Sequence, residues 1–123
     1  MNILLDTNAL FWYLENSSTL SKQAEVSIDE ATQVFIPTIV LLELIYLLKK
    51  KNRIGDFAVI LERMIAKQYK IMSLDLATVL NGYDIATKLE MHDCIIVSTA
   101  KILGLPIVTK DRNIQKVYKN TIW

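Results

Sequence analysis

The stretch "MNILLDTNAL" at residues 1–10 decides how the chain is read. Ile3, Leu4 and Leu5 form an unbroken apolar run without polar alternation, the pattern of a strand buried on both faces. The run meets Asp6, Thr7 and Asn8, and apolar residues then resume. A carboxylate at the tip of a buried strand has two readings. It caps the helix that follows by accepting a backbone N–H hydrogen bond. Or it is one part of a chemical site whose other parts arrive later in the chain.

Outward from that tip, short apolar runs alternate with helical patterns. Residues 2–6 read as a strand, 8–15 as a short helix, 21–31 as an amphipathic helix and "QVFIP" as a strand closed by Pro37. Residues 38–51 read as a helix that Thr38 caps and three lysines close, where the helix dipole favours cations. Gly55 separates it from a helix over 56–69. "KIMSL" (70–74) reads as a strand, and Asp75 or Ser73 caps a helix over 76–89. "HDCIIVSTAKIL" reads as a helix with Gly104 just past its end. "LPIVT" (105–109) reads as a strand, 110–119 as a turn and short helix, and "TIW" as an edge strand. This alternation predicts an α/β fold with a mostly parallel central sheet and helices on both faces. In such sheets, sites form at the carboxyl ends of strands. Asp6 follows the first strand and Asp111 the strand 105–109, so neighbouring strands would bring both to one rim.

The chain has 123 residues, the size of a single domain over 1–123. Its 52% hydrophobic content fills one core and leaves apolar surface for a partner. A net charge of +1 neither favours nor excludes nucleic acid, because clustering matters more than the sum. One cysteine, Cys94, allows no internal disulfide and fits a reducing compartment. There is no basic n-region or cleavage signal, and the longest apolar stretch, "VFIPTIVLLELIYLL", is broken by Pro37 and Glu43. A cytoplasmic protein without a membrane span is expected.

Four acidic residues stand out. Asp6 ends the first strand. Glu43 lies inside the apolar helix 38–51, where an ionised carboxylate is costly to bury without a partner. Asp93 precedes "CIIVSTA" and Asp111 follows "IVTK"; taken singly, Asp93 reads better as a helix cap and Asp111 as a turn or cap residue. Jointly, two strand ends, one helix interior and one helix start can converge on one pocket. Crowded carboxylates raise one another's pKa, and a hard divalent cation removes that penalty. An all-oxygen set suits Mg²⁺ or Mn²⁺, whereas one cysteine and one histidine make zinc a poor fit. His92, the lone histidine, reads as a partly exposed surface residue.

"LLDTNAL", the glutamate of "PTIVLLEL", "HDCIIVSTA" and "GLPIVTKDRNI", in this order along nearly the whole chain, resemble the PIN-domain ribonucleases. The small stand-alone form is most similar to VapC-type toxins of prokaryotic toxin–antitoxin pairs. The resemblance implies an α/β/α sandwich with an acidic quartet binding Mg²⁺ or Mn²⁺. Asp6, Glu43, Asp93 and Asp111 match the four acids. Thr7 and Asn8 match the polar pair after the first, and Thr109 the hydroxyl residue before the fourth. Asn113 stands where some members carry a further acid, which leaves a second metal position less defined.

The expected reaction is endonucleolytic hydrolysis of RNA. A metal-lowered water pKa makes hydroxide available for in-line attack on phosphorus. The resemblance implies products with 5′-phosphate and 3′-hydroxyl ends. Lys110 and Arg112 are the phosphate-binding candidates beside Asp111. "KKKNR" (49–53) reads at least half as a solvated helix end. Phe11, Trp12 and Tyr13 read as core or interface more than as base-stacking residues. The resemblance also implies a cognate antitoxin and a homodimer. Two other readings stay open: a haloacid-dehalogenase-like phosphatase, against which Asn8 replaces the second acid of "DxD", and a PIN-like module that binds without catalysis.

Overall fold

A computed structural model describes all 123 residues. In chain order the elements are β1 (Asn2–Leu5), α1 (Thr7–Leu14), α2 (Lys22–Asp29), β2 (Gln33–Pro37) and α3 (Thr38–Lys50). There follow a single 3-10 turn (Ile54–Asp56), α4 (Phe57–Ala66), β3 (Lys70–Met72) and α5 (Leu76–Asn81). The chain ends with α6 (Met91–Leu103), β4 (Ile107–Val108), α7 (Arg112–Val117) and β5 (Thr121–Ile122).

The five strands form one sheet in the order β3-β2-β1-β4-β5, and every pairing is parallel. The α/β expectation holds, and the sheet is parallel throughout. Successive residues of a strand point to opposite faces. Ile3, Leu4 and Leu5 are all fully buried, so helices cover the sheet on both sides. The core is one cluster, with Ile36, Val40, Leu44, Leu48, Ile96 and Ile107 among its best-buried side chains.

β1 sits at the centre, paired with β2 on one side and β4 on the other. From β1 the chain proceeds to β2 and β3; from β4 it proceeds the other way, to β5. The gap between β1 and β4 is therefore the point where strand order reverses. Crevices form outside the carboxyl ends of strands at such points. Leu5 lies opposite Val108, so the loops after both strands leave the sheet side by side.

Several boundaries differ from those read in the sequence. α3 needs no threonine cap: extended Pro37 is both the last residue of β2 and the N-cap, and Thr38 is already helical. The helix expected over 76–89 stops at Asn81. Gly82 packs against α6 so closely that a Cβ there would lie 3.1 Å from Cys94 Sγ. The chain then turns through residues 82–88, burying Ile85 and Leu89. The helix expected over 56–69 begins instead as the 3-10 turn and ends at Ala66.

Candidate active site

Asp6 lies at the reversal point. Its backbone is extended, and its Oδ1 accepts from the Ala9 N–H at 2.9 Å, capping α1. Its Oδ2 accepts from the buried Thr109 hydroxyl, which leaves the sheet just after β4. Asp6 thus caps a helix and also faces a second loop from 103 residues away. The Thr109 Oγ1 in turn accepts from the Asp111 N–H at 3.0 Å.

Asp111 caps α7, its Oδ1 accepting from the Asn113 N–H at 2.8 Å and the Ile114 N–H at 3.0 Å. Asn113 therefore enters through its backbone, while its side chain is exposed. Glu43 projects from the middle of α3, and its Oε1 accepts from the Thr7 hydroxyl at 2.7 Å. Asn8 is exposed and lines a groove with Thr7 and Glu43.

Asp93 is not a cap. That role falls to Glu90, whose Oε1 accepts the Asp93 N–H at 2.8 Å. The Asp93 carboxylate is left without a hydrogen-bond donor from within the chain. Glutamate is a weak N-cap signal beside Ser, Thr, Asp or Asn, so the sequence pointed to Asp93. The spacing of Glu90 and Asp93, three apart before an apolar run, was the available clue.

His92 is half-exposed, as expected, but it borders this site: its Nδ1 lies 3.4 Å from Glu43 Oε2 and 3.9 Å from Glu90 Oε2. Its position one residue before Asp93 was the signal available. Lys110 and Arg112 are exposed on either side of Asp111, and Lys110 Nζ lies 5.9 Å from the Trp12 ring centroid. Phe11 is buried, and Trp12 and Tyr13 pack against the core, in line with their structural reading.

The electrostatics follow from this placement. Burial pushes the Asp6 carboxyl up to about 6; the Thr109 and Ala9 hydrogen bonds oppose the rise, and the charges of Asp111 and Glu43 add to it. Asp93 is pushed up to about 7, first by burial and then by Asp111, Glu90, Glu43 and Asp6. The four predicted acids thus feel one another's charge. No lysine or arginine pairs with any of them, and His92 is the one basic side chain in contact. Half-buried carboxylates without a countercharge carry an unmet electrostatic cost.

No three acidic, histidine or cysteine side chains already form a closed ion cage. The donor set is nonetheless all oxygen, anionic and short of a cation, which fits a hard divalent ion.

The PIN domain family model matches residues 3–120. No curated protein sequence matches the chain. Among solved structures, a toxin–antitoxin complex from Klebsiella pneumoniae is 20% identical with a TM-score of 0.73, covering 98% of this chain and 96% of that one. VapBC2 from Rickettsia felis, bound to a DNA fragment from their promoter, is 16% identical with a TM-score of 0.73 and full coverage of both chains. FitAcB from Neisseria gonorrhoeae is 21% identical with a TM-score of 0.71, covering 98% and 95%. These likenesses agree with the parallel sheet and its order-reversal crevice, and the family match spans nearly the whole sequence: the chain belongs to the PIN domain family.

Proposed function

We propose that this chain is an endoribonuclease dependent on Mg²⁺ or Mn²⁺, acting as the toxin of a toxin–antitoxin pair. The observation that carries the reading is the cluster of four mutually repelling carboxylates, without lysine or arginine partners, at the sheet's reversal point.

Asp6 and Asp93 would hold the ion, with Glu43 and Asp111 completing the set. A bound divalent cation supplies Lewis-acid polarisation of the phosphodiester and a water of lowered pKa. The chain's own residues do the rest. Thr109 fixes one oxygen of Asp6 and the Ala9 N–H the other, so this carboxylate is pre-oriented. Thr7 orients Glu43, and the backbone of α7 orients Asp111. Asp93, free of internal donors, can turn toward the ion. Lys110 and Arg112 offer exposed cations beside Asp111 for the phosphates of an RNA strand.

The structural neighbours from Klebsiella, Rickettsia and Neisseria support an antitoxin as partner. Exposed Leu74, Val79, Tyr83 and Met91 lining the cleft between α5 and α6 support a second copy of the chain as another. No helix is long and apolar enough to cross a membrane. The free, buried Cys94 supports action in the reducing cytoplasm.

The test is cleavage of total RNA by the purified chain with Mg²⁺, with Mn²⁺ and with EDTA, beside Asp6→Asn. Discrete cuts that need metal and vanish in the variant are expected. Cutting that persists in EDTA or in Asp6→Asn would overturn the assignment.

A further inference from the structure

A groove of about 590 Å³ opens from Thr7, Asn8 and Glu43 and runs along the outer side of α3 past Tyr46 and Leu47 to Lys49 and Lys50. Glu43, Tyr46 and Lys50 are three and seven residues apart, so they share one helix face. From Glu43 to Lys50 the face extends about 10 Å. Tyr46 is 62% exposed, unlike Phe11, Trp12 and Tyr13, which the fold uses for packing. Lys49 Nζ stands 5.6 Å from the Tyr46 ring centroid. Neither Lys49 nor Lys50 is paired with an acid. The lysines complement the α3 dipole, but that role requires no aromatic ring beside them.

An exposed ring flanked by unpaired cations, continuous with an acidic catalytic rim, has the chemistry of a single-strand subsite. The ring stacks a base without regard to its identity, and the cations take the adjoining phosphates. We infer that this groove binds the nucleotide next to the scissile phosphate of a single-stranded RNA, with Tyr46 stacking its base and Lys49 and Lys50 holding its backbone. A protein segment is the less fitting occupant. Five of the seven lining residues are polar or charged, the apolar area beside them includes the Tyr46 ring, and the groove leads directly to Glu43. This inference rests on the endoribonuclease reading.

The test measures fluorescence anisotropy of labelled U12 and A12 oligoribonucleotides on the full chain, in an Asp6→Asn background that keeps the RNA intact. Tyr46→Ala is expected to weaken binding of both by about tenfold or more, while Tyr46→Phe retains it. The pair Lys49→Ala and Lys50→Ala is expected to flatten the slope of log K against log salt by about 1.4. Unchanged binding in both the tyrosine and the lysine variants overturns the proposal. Total-RNA cleavage by the chain with Asp6 intact separates the two failures. Cutting with an indifferent groove leaves the nuclease reading standing, whereas neither cutting nor binding overturns both.

Discussion

The starts of α1 and α5 are built alike and behave oppositely. Each is capped by an extended aspartate that accepts from a backbone N–H three residues on: Asp6 from Ala9 and Asp75 from Thr78, both at 2.9 Å. Each carboxylate also accepts from a threonine hydroxyl, Thr109 for Asp6 and Thr78 for Asp75. Asp75 is exposed, and its hydrogen bonds hold its carboxyl below the ordinary value. Asp6 is buried beside other acids, and its carboxyl is pushed up to about 6. The local motif is the same; the sheet beneath one of them buries the cap beside other carboxylates. A capping role therefore does not argue against the proposed catalytic one. What separates them is the charge and solvent around the same hydrogen bonds.

The sharpest way to break this contrast is to neutralise both aspartates. Asp6→Asn should lower RNA cleavage by about 10²-fold or more, the scale of losing a preorganised electrostatic group. Asp75→Asn should leave cleavage unchanged in the same assay. Equal losses would mean that α5 also serves the reaction.

The next effect is on stability, read by urea unfolding across pH in chelator. Folded Asp6 and Asp93 have values raised from the ordinary 3.8 to about 6 and about 7. Their contribution to stability is full below 3.8 and is lost as pH rises through those raised values. Asp6 accounts for about 3 kcal/mol of that loss, with less from the better-solvated Asp93. Stability should therefore fall from pH 4 to pH 8, and Asp6→Asn should flatten the fall. Mg²⁺ at 100 times its Kd should restore about 2.7 kcal/mol at the upper end. Asp75 has the opposite sign: its stabilisation is present above 3.8 and fades as pH falls through its lowered value.

A smaller effect is expected at Thr7, which touches Glu43 rather than the substrate. Thr7→Val removes one hydrogen bond worth about 1 kcal/mol and should slow cleavage about fivefold. The loss should fall mainly in kcat, with a melting temperature lowered by a few degrees. The smallest change belongs to Asp75→Ala, which should lower the melting temperature by a few degrees and leave cleavage intact.

Much of this was legible in residues 1–10. An unbroken apolar run tipped by Asp6 predicts a buried parallel strand with its carboxyl end at a site, and Glu43 inside an apolar helix predicts an unusual carboxylate. These signals are local, because period and polarity within one element carry them. The adjacency of β1 and β4 is not local, and only the closed sheet turns two strand ends into one rim. The stop of α5 at Asn81 depends on how tightly Gly82 meets Cys94, a tertiary contact that helix propensity does not encode. Glu90 took the cap from Asp93 because the chain enters α6 one residue before Met91, and glutamate can reach the open N–H from there. Tyr46 was hidden in the apolar count of α3. The sequence does not show which side of a nearly all-apolar helix faces water.

The Thr109 hydroxyl has one hydrogen, and Asp6 takes it from across almost the whole chain. During synthesis, at roughly 5–20 residues per second, β1 emerges before β4 and waits without this neighbour. α1 can form early, and β2 can join β1 once residue 37 is free, but nothing orients the second oxygen of Asp6 until β4 and the loop after it have left the ribosome. Asp6 precedes its Thr109 partner by 103 residues, a delay of about 5–20 s at that rate. If the nuclease reading holds, competence would arrive only with the loop after β4, and a restraining protein would have to be present by then.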